Sequence, residues 1–148
     1  MSFQAELSSL FKRDLGRLRK QIELFPNDES LWNVPQGVAN SGGNLALHLE
    51  GNLREFIGRQ LGNHEYQRKR DLEFSSKGLS KSELVSRISD LSELIPSVIE
   101  SLSTDKVEME YPEVVLDVPM TTRQFLMHLY GHLSWHLGQI DYVRRFGQ

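Results

Sequence analysis

The sequence predicts an all-α protein, a four-helix bundle that forms one domain over residues 1–148. Four segments carry apolar residues at alternating steps of three and four, which is the spacing of an amphipathic helix that buries one face. Three connections, over residues 26–43, 63–79 and 104–120, separate these segments. The chain has 148 residues, of which 39% are hydrophobic and 25% charged, so it is large enough to bury one core.

The first predicted helix runs from Phe3 to Phe25, with its apolar residues on one face. Pro26 cannot continue a helix, so the helix ends there. The connection that follows contains Trp32, which we expect to pack over the core, because aromatic residues in such loops are usually buried.

A second helix is predicted over residues 43–61, with Asn40 or Ser41 as its N-cap. Its apolar stripe also carries two polar residues, His48 and Asn52. Burying a polar group without a partner costs a few kcal/mol, so we expect both side chains to find partners inside the protein.

The connection over residues 63–79 is longer than a helix bundle needs. This length allows it to cross the end of the bundle or to cover a site. It contains a cluster of charged residues over 68–73 and one histidine, His64, which we expect to be exposed.

The third helix is predicted to begin after Ser80, which forms an S-x-x-E capping box with Glu83, and to end near Ser103. Pro96 lies inside it, so we expect a kink there or a break into two pieces. Residues 104–120 contain alternating apolar residues and are predicted to form a short extended ribbon against the bundle.

The fourth helix is predicted over residues 121–146, and a second capping-box match begins at Thr121. It carries three histidines at four-residue intervals, His128, His132 and His136. Residues four apart lie one turn above each other on the same helix face, so two such imidazoles can converge on one metal ion.

The candidate metal ligands are His48, His132 and His136, because inward side chains of facing helices form the metal sites of helix bundles. The chain has no cysteine, so a metal must be held by nitrogen or oxygen. Neutral imidazole suits divalent zinc, nickel, copper and iron, and three ligands leave a coordination position open for water or substrate. A histidine that is only packed and hydrogen-bonded in the core remains the alternative.

Four further residues are assigned around this site. Asn52 and Gln139 are predicted to line the substrate pocket, and Trp135 is a third candidate for substrate binding. His128 lies a full turn before His132, so we expect it to hydrogen-bond near the metal ligands rather than to coordinate the metal.

Composition excludes several functions. The net charge is −3 with both signs interspersed, which is not the charge pattern of a nucleic-acid-binding protein. There is no signal-peptide pattern and no uninterrupted apolar run of about 18 residues, so we expect a cytoplasmic protein that does not bind membranes.

The final helix resembles a known family. Residues 132–140, HLSWHLGQI, are similar to the final-helix signature of the DinB-like superfamily, which includes the YfiT-type metal-dependent hydrolases. Residues 44–53, NLALHLEGNL, are similar to its second-helix histidine segment, and residues 70–75, RDLEFS, to a segment in one of its branches.

The resemblance implies a four-helix bundle that runs up-down-down-up, with residues 63–79 as the crossover between helices 2 and 3. It also implies a divalent metal, typically zinc or nickel, bound by His48, His132 and His136, and a homodimer. Characterised relatives include transferases and isomerases that use a low-molecular-weight thiol. Leu137 departs from the pattern, since many relatives carry arginine there, and if that arginine binds an anionic substrate, a different substrate is expected for this chain.

Two classes of function follow from these observations. The first is a metal-dependent enzyme, a thiol-dependent transferase or a hydrolase, that acts on a small molecule. The alternative is a non-catalytic dimeric bundle that uses the metal as a structural element or binds a small ligand.

Overall fold

In the computed structural model, which describes residues 1–147, the chain folds into six α-helices around one core. They are α1 (Phe3–Glu23), α2 (Gly42–Leu53), α3 (Arg70–Ser75), α4 (Lys81–Ser101), α5 (Thr104–Glu108) and α6 (Thr122–Phe146). The α1 helix packs mainly against α4, and α2 packs mainly against α3 and α6. The prediction of an all-α bundle is confirmed, and the up-down-down-up order of its four long helices stays a prediction.

Hydroxyl side chains begin five of these helices. Ser2, Ser41, Ser80, Ser103 and Thr121 each accept a hydrogen bond from a backbone N–H in the first turn of the helix that follows. The full capping box predicted at the start of α4 is present, because the side chain of the third residue also accepts from the backbone N–H of the N-cap. These bonds satisfy donors that a helix N-terminus otherwise leaves free.

The α4 helix is continuous across Pro96, so the break that Pro96 suggested does not occur. The fully buried residues Leu91, Ile95 and Ile99 lie on either side of it and pack in the core. Ser8 of α1 also donates a hydrogen bond to the Pro96 carbonyl, at 3.2 Å. Packing against α1 therefore holds the helix together where one backbone hydrogen bond is lost.

The α2 helix is buried along its whole length, on every side. Glycines at its start allow the close packing, because a Cβ on Gly43 would lie 2.7 Å from the Trp32 ring, and one on Gly42 would overlap the ring of Phe25. Trp32 ends a short 3₁₀ helix, packs against the core as predicted, and donates its Nε1–H to the Leu79 carbonyl at 3.1 Å.

The second predicted helix, residues 43–61, changes its form after Leu53. A π-helical segment over Arg54–Arg59 replaces the α-helix, and Gln60 N–H therefore bonds to Glu55 while Leu61 N–H bonds to Ile57. Both of these N–H groups therefore bond to carbonyls other than that of Phe56.

The hydroxyl of Tyr111 donates to the Phe56 carbonyl at 2.7 Å. The extended ribbon predicted over 104–120 is reduced to one antiparallel bridge, between Glu110 and Thr121, because α5 takes up residues 104–108. The bridge places the buried Tyr111 ring against the π-helical segment.

No helix within the described part of the chain is long and apolar enough to cross a membrane.

Candidate metal centre

The structure brings together the three histidines that the sequence predicted. His48 of α2 lies opposite His132 and His136 of α6, and one ring nitrogen from each residue lies within 4.8 Å of the other two. The Nε2 atoms of His48 and His132 are 3.1 Å apart. The cluster forms because α2 packs against α6 and because the two α6 histidines are one turn apart.

The donor set fits a divalent metal. Zinc-to-imidazole bonds of about 2.0–2.1 Å at tetrahedral angles place donor nitrogens about 3.3 Å apart, which is close to the observed 3.1 Å. Two lone pairs that face each other at this distance repel, so either a proton on one Nε2 or a cation must lie between them. In residues 1–147, no fourth histidine, cysteine or carboxylate completes the cluster.

Glu73 of α3 orients His48. Its Oε1 atom lies 3.0 Å from His48 Nδ1, and Arg68 donates to both carboxylate oxygens at 2.9 and 3.0 Å. Burial alone would raise the pKa of Glu73, but the hydrogen bonds from His48 and Arg68 outweigh it and lower this pKa. An ionised carboxylate only accepts, so the neutral tautomer that this contact favours has its proton on Nδ1 and its lone pair on Nε2, the atom that faces His132.

Gly51 provides the space for this carboxylate. A Cβ at Gly51 would lie 2.6 Å from the Glu73 carboxyl carbon and still closer to its Oε2. Glu73 is buried, and its carboxylate lies against the α2 backbone at Gly51, which is about one helical turn after His48. The absence of a side chain at Gly51 is therefore a condition for the contact between Glu73 and His48.

Gln139 orients His136 in the same way. Its amide oxygen lies 2.7 Å from His136 Nδ1, and because an amide oxygen only accepts, the proton is on Nδ1. Nε2 of His136 is then the nitrogen with a free lone pair. His132 differs, since its buried Nδ1 has no hydrogen-bond partner among residues 1–147.

The environment keeps the two α6 histidines neutral near pH 7. Burial lowers the pKa of His132 to about 4, and the neighbouring His136 and His48 add to this effect. Burial also lowers the pKa of His136, against the opposing effect of its hydrogen bond to Gln139. Neutral imidazole is the form that binds a metal, so this pair is already in the ligand state.

The other histidines and the residues predicted to bind substrate differ in their burial and their contacts. Asn52 is buried on α2, one turn after His48, but its Oδ1 has no partner within the described residues. Trp135 is 70% exposed. His128 is exposed and its ring stacks on Phe125, with 5.8 Å between ring centroids, and it makes no hydrogen bond to the cluster in residues 1–147. His64 is exposed, as predicted.

Sequence reasoning missed Glu73, Arg68 and Gly51. The charged run over residues 68–73 has the composition of a solvated connection, and only the length of that connection indicated that it covers a site. The resemblance of residues 70–75 to one DinB-like branch pointed to the segment but not to its role.

Comparison with known proteins identifies the same architecture. The DUF1572 family, described as a protein of unknown function, matches residues 3–147. A DinB-like protein from Bacillus cereus ATCC 10987 is similar in structure, with a TM-score of 0.70 and 19% identity, over 89% of this chain and 84% of that one. A DinB-like protein from Bacillus subtilis has a TM-score of 0.68 and 17% identity, over 97% of this chain and 92% of that one. No curated protein matches the chain.

Proposed function

We propose that this chain, which belongs to the DUF1572 family and has the DinB-like fold, is a divalent-metal-dependent enzyme that acts on a small molecule. One observation carries the proposal. Two helices, from positions 84 residues apart in the chain, place three imidazole nitrogens within 4.8 Å of one another. Glu73 and Gln139 additionally fix the ring orientation of two of the three.

His48, His132 and His136 would hold the ion, and we propose zinc or nickel, which imidazole ligands suit. A divalent ion with three nitrogen ligands supplies a site that lowers the pKa of a bound water or thiol and polarises a substrate oxygen. The protein contributes the orientation of the rings. Glu73 and Gln139 accept the Nδ1 protons of His48 and His136, which would leave the Nε2 atoms of both rings to bind the ion.

Two features support an enzyme over a structural metal site. Structural sites are closed by four protein ligands, and within residues 1–147 only three potential ligand side chains converge here. His132 and His136 are also only partly buried, so solvent can approach them. A site with an open, accessible position is typical of catalysis.

The reaction class is the one that the resemblance to the DinB-like superfamily implies, because its characterised relatives include transferases that use a low-molecular-weight thiol. The sequence has no cysteine, so a thiol would have to come from a low-molecular-weight cosubstrate. We therefore propose a thiol-dependent transferase, or a hydrolase that uses water at the same position. Asn52, Gln139 and Trp135 would contact the substrate, and the buried Oδ1 of Asn52, which has no partner among residues 1–147, is available to accept a hydrogen bond.

Metal analysis of the purified protein tests the site. We expect one equivalent of zinc or nickel in the wild-type protein and its loss in His48→Ala and His132→Ala, because each variant removes one of three ligands. His64→Ala, at an exposed histidine in the crossover connection, is the matched control and should keep the metal. Wild-type protein that takes up no divalent ion tightly would refute the proposal.

Cobalt substitution then separates the two reaction classes. A low-molecular-weight thiol that binds the metal adds a thiolate-to-cobalt charge-transfer absorption, and His64→Ala should show the same band. Hydrolysis without a thiol predicts turnover of an ester or amide substrate and no such band. Light scattering during gel filtration tests the homodimer, which we also propose.

A further inference from the structure

A cavity of about 460 Å³ lies between the connection that precedes α2 and the second half of α6, and Gln139, the hydrogen-bond partner of His136, is part of its lining. Its lining is mostly apolar and includes Pro35, Val38, Ala39, Leu45, Tyr142 and Phe146. We call it the 35–40 cavity. Its volume lies in the range of small-molecule sites, which is about 300–1,000 Å³.

Gln139 connects this cavity to the cluster. Its side chain lines the cavity, and its amide oxygen accepts from His136 Nδ1 at 2.7 Å. Because the oxygen is occupied, the amide NH₂ group remains as a donor, and it makes no hydrogen bond within the described residues. A ligand in the cavity would therefore have this donor at the Gln139 end, where the same side chain contacts His136.

The chemistry of the lining indicates which part of a ligand fits. No lysine, arginine, aspartate, glutamate or histidine lines the cavity. Val38 and Tyr142 are 41% and 62% exposed although they are apolar or aromatic, and the ring of Tyr142 stacks on Phe146. Covering such surface is favourable in proportion to its apolar area, whereas a charged group here would lose its solvation without a partner.

The wall formed by the connection is fixed without any ligand. Val38 N–H bonds to the Pro35 carbonyl at 3.2 Å, and Gly37 between them has a φ of +86°, which is the geometry of a type II turn. Pro35 also packs against Gly147 at the end of α6, since a Cβ there would lie 3.0 Å from the proline ring. A preformed apolar wall beside a polar end is typical of a small-molecule site.

We propose that the 35–40 cavity binds the uncharged aliphatic or aromatic part of the substrate, while the polar end of the same molecule reaches Gln139 and the histidine cluster. The substrate class is therefore a small molecule with an apolar substituent next to a metal-binding or carbonyl group. The inference rests on the proposed function, because it takes the cluster to be the metal centre that holds the polar end.

The test uses straight-chain hydroxamic acids of increasing length, from acetohydroxamic to octanohydroxamic acid, titrated calorimetrically into the zinc-loaded protein. The hydroxamate group binds the metal, so the chain probes what lies beside it. Each methylene that enters the cavity should lower Kd about fourfold until the cavity is filled. A Kd that does not change with chain length would overturn the proposal.

Two matched variants locate the effect. Val38→Glu introduces a charge into the lining, and Val34→Glu introduces the same charge at a 50% exposed valine in the same connection but outside the cavity. Acetohydroxamic acid should bind equally well to both variants and to the wild type. The dependence on chain length should disappear only in Val38→Glu, and equal behaviour of the two variants would contradict the assignment.

A second measurement keeps this inference separate from the metal centre. If the protein takes up no zinc, the proposed function fails. The cavity is then tested separately, by titrating 1-hexanol into the metal-free protein and following the backbone amide NMR signals. Saturable amide shifts confined to residues 35–40 and 139–146 would support an apolar subsite. If hexanol shifts nothing, and Val38→Glu instead converts a dimer into a monomer, the face is an interface between two copies and the proposal is wrong.

Discussion

A methyl group added at Gly51 should weaken the protein where helix propensity alone would strengthen it. Alanine in a helix interior is normally more stable than glycine by about 0.5–1 kcal/mol. In Gly51→Ala, however, the new Cβ would lie 2.6 Å from the carboxyl carbon of Glu73, and carbon atoms in contact need about 3.5 Å. The carboxylate must therefore move by about 1 Å.

This displacement breaks the hydrogen bond of 3.0 Å between Glu73 and His48 Nδ1. A hydrogen bond to a charged group contributes about 1.5–3 kcal/mol, and His48 is too buried for water to replace it. After the gain in helix propensity is subtracted, we expect Gly51→Ala to lower the free energy of unfolding by about 1–2 kcal/mol. Zinc affinity should fall by about 10- to 100-fold, the usual effect of losing the partner that orients a ligand histidine.

Urea denaturation of the metal-free protein and competitive zinc titration measure the two effects separately. The control is Gly16→Ala in α1, where an added Cβ meets no atom within 4 Å, so this variant should gain about 0.5–1 kcal/mol. Glu73→Asp shortens the carboxylate side chain, so its cost should be smaller in the Gly51→Ala background than alone. If Gly51→Ala gains as much stability as Gly16→Ala and binds zinc normally, the role assigned to Glu73 is wrong.

Two further predictions concern polar contacts away from the cluster. Tyr111→Phe leaves the Phe56 carbonyl without its donor and should lower the free energy of unfolding by about 1–3 kcal/mol in urea denaturation, whereas Tyr142→Phe, at an exposed hydroxyl, should change it little. Burial alone would raise the pKa of Asp14, but hydrogen bonds from an arginine and Tyr130, with two arginine charges, outweigh it and lower this pKa. Its stabilising effect is therefore present above the unfolded pKa near 3.8 and is lost as the pH falls through the lower folded value. Asp14→Asn should have a free energy of unfolding about 1–2 kcal/mol lower than that of the wild type at pH 7. This difference, measured by urea denaturation at several pH values, should shrink as the pH falls below about 4. A difference that stays constant with pH would contradict this assignment.

The sequence predicts the parts of the fold that local physics determines. Apolar spacing located the long helices, and the hydroxyl caps at Ser41, Ser80 and Thr121 located three of their starts. The meeting of His48 with His132 was also predictable, because His48 is one of two polar residues on the apolar stripe of its helix and the histidines of α6 recur at four-residue intervals.

Features that depend on tertiary contacts were not predictable. The π-helical segment after Leu53 has no local signal, and its Phe56 carbonyl accepts a hydrogen bond from Tyr111, more than 50 residues later. Glu73 lies in a charged segment, and only the space left by Gly51 on another helix shows that its carboxylate is buried. Pro96 predicted a kink or a break, and packing against α1 keeps the helix in one piece.

The complete burial of α2 limits which amino-acid substitutions this protein can tolerate. A helix on a protein surface normally has a solvent-facing side where most substitutions are neutral, which gives its mutational tolerance a period of three to four residues. No residue from Gly42 to Leu53 is exposed, so this helix has no such side. Substitutions that alter the crossover segment or α6 must therefore fit the existing surface of α2, because α2 has little freedom to adjust to them.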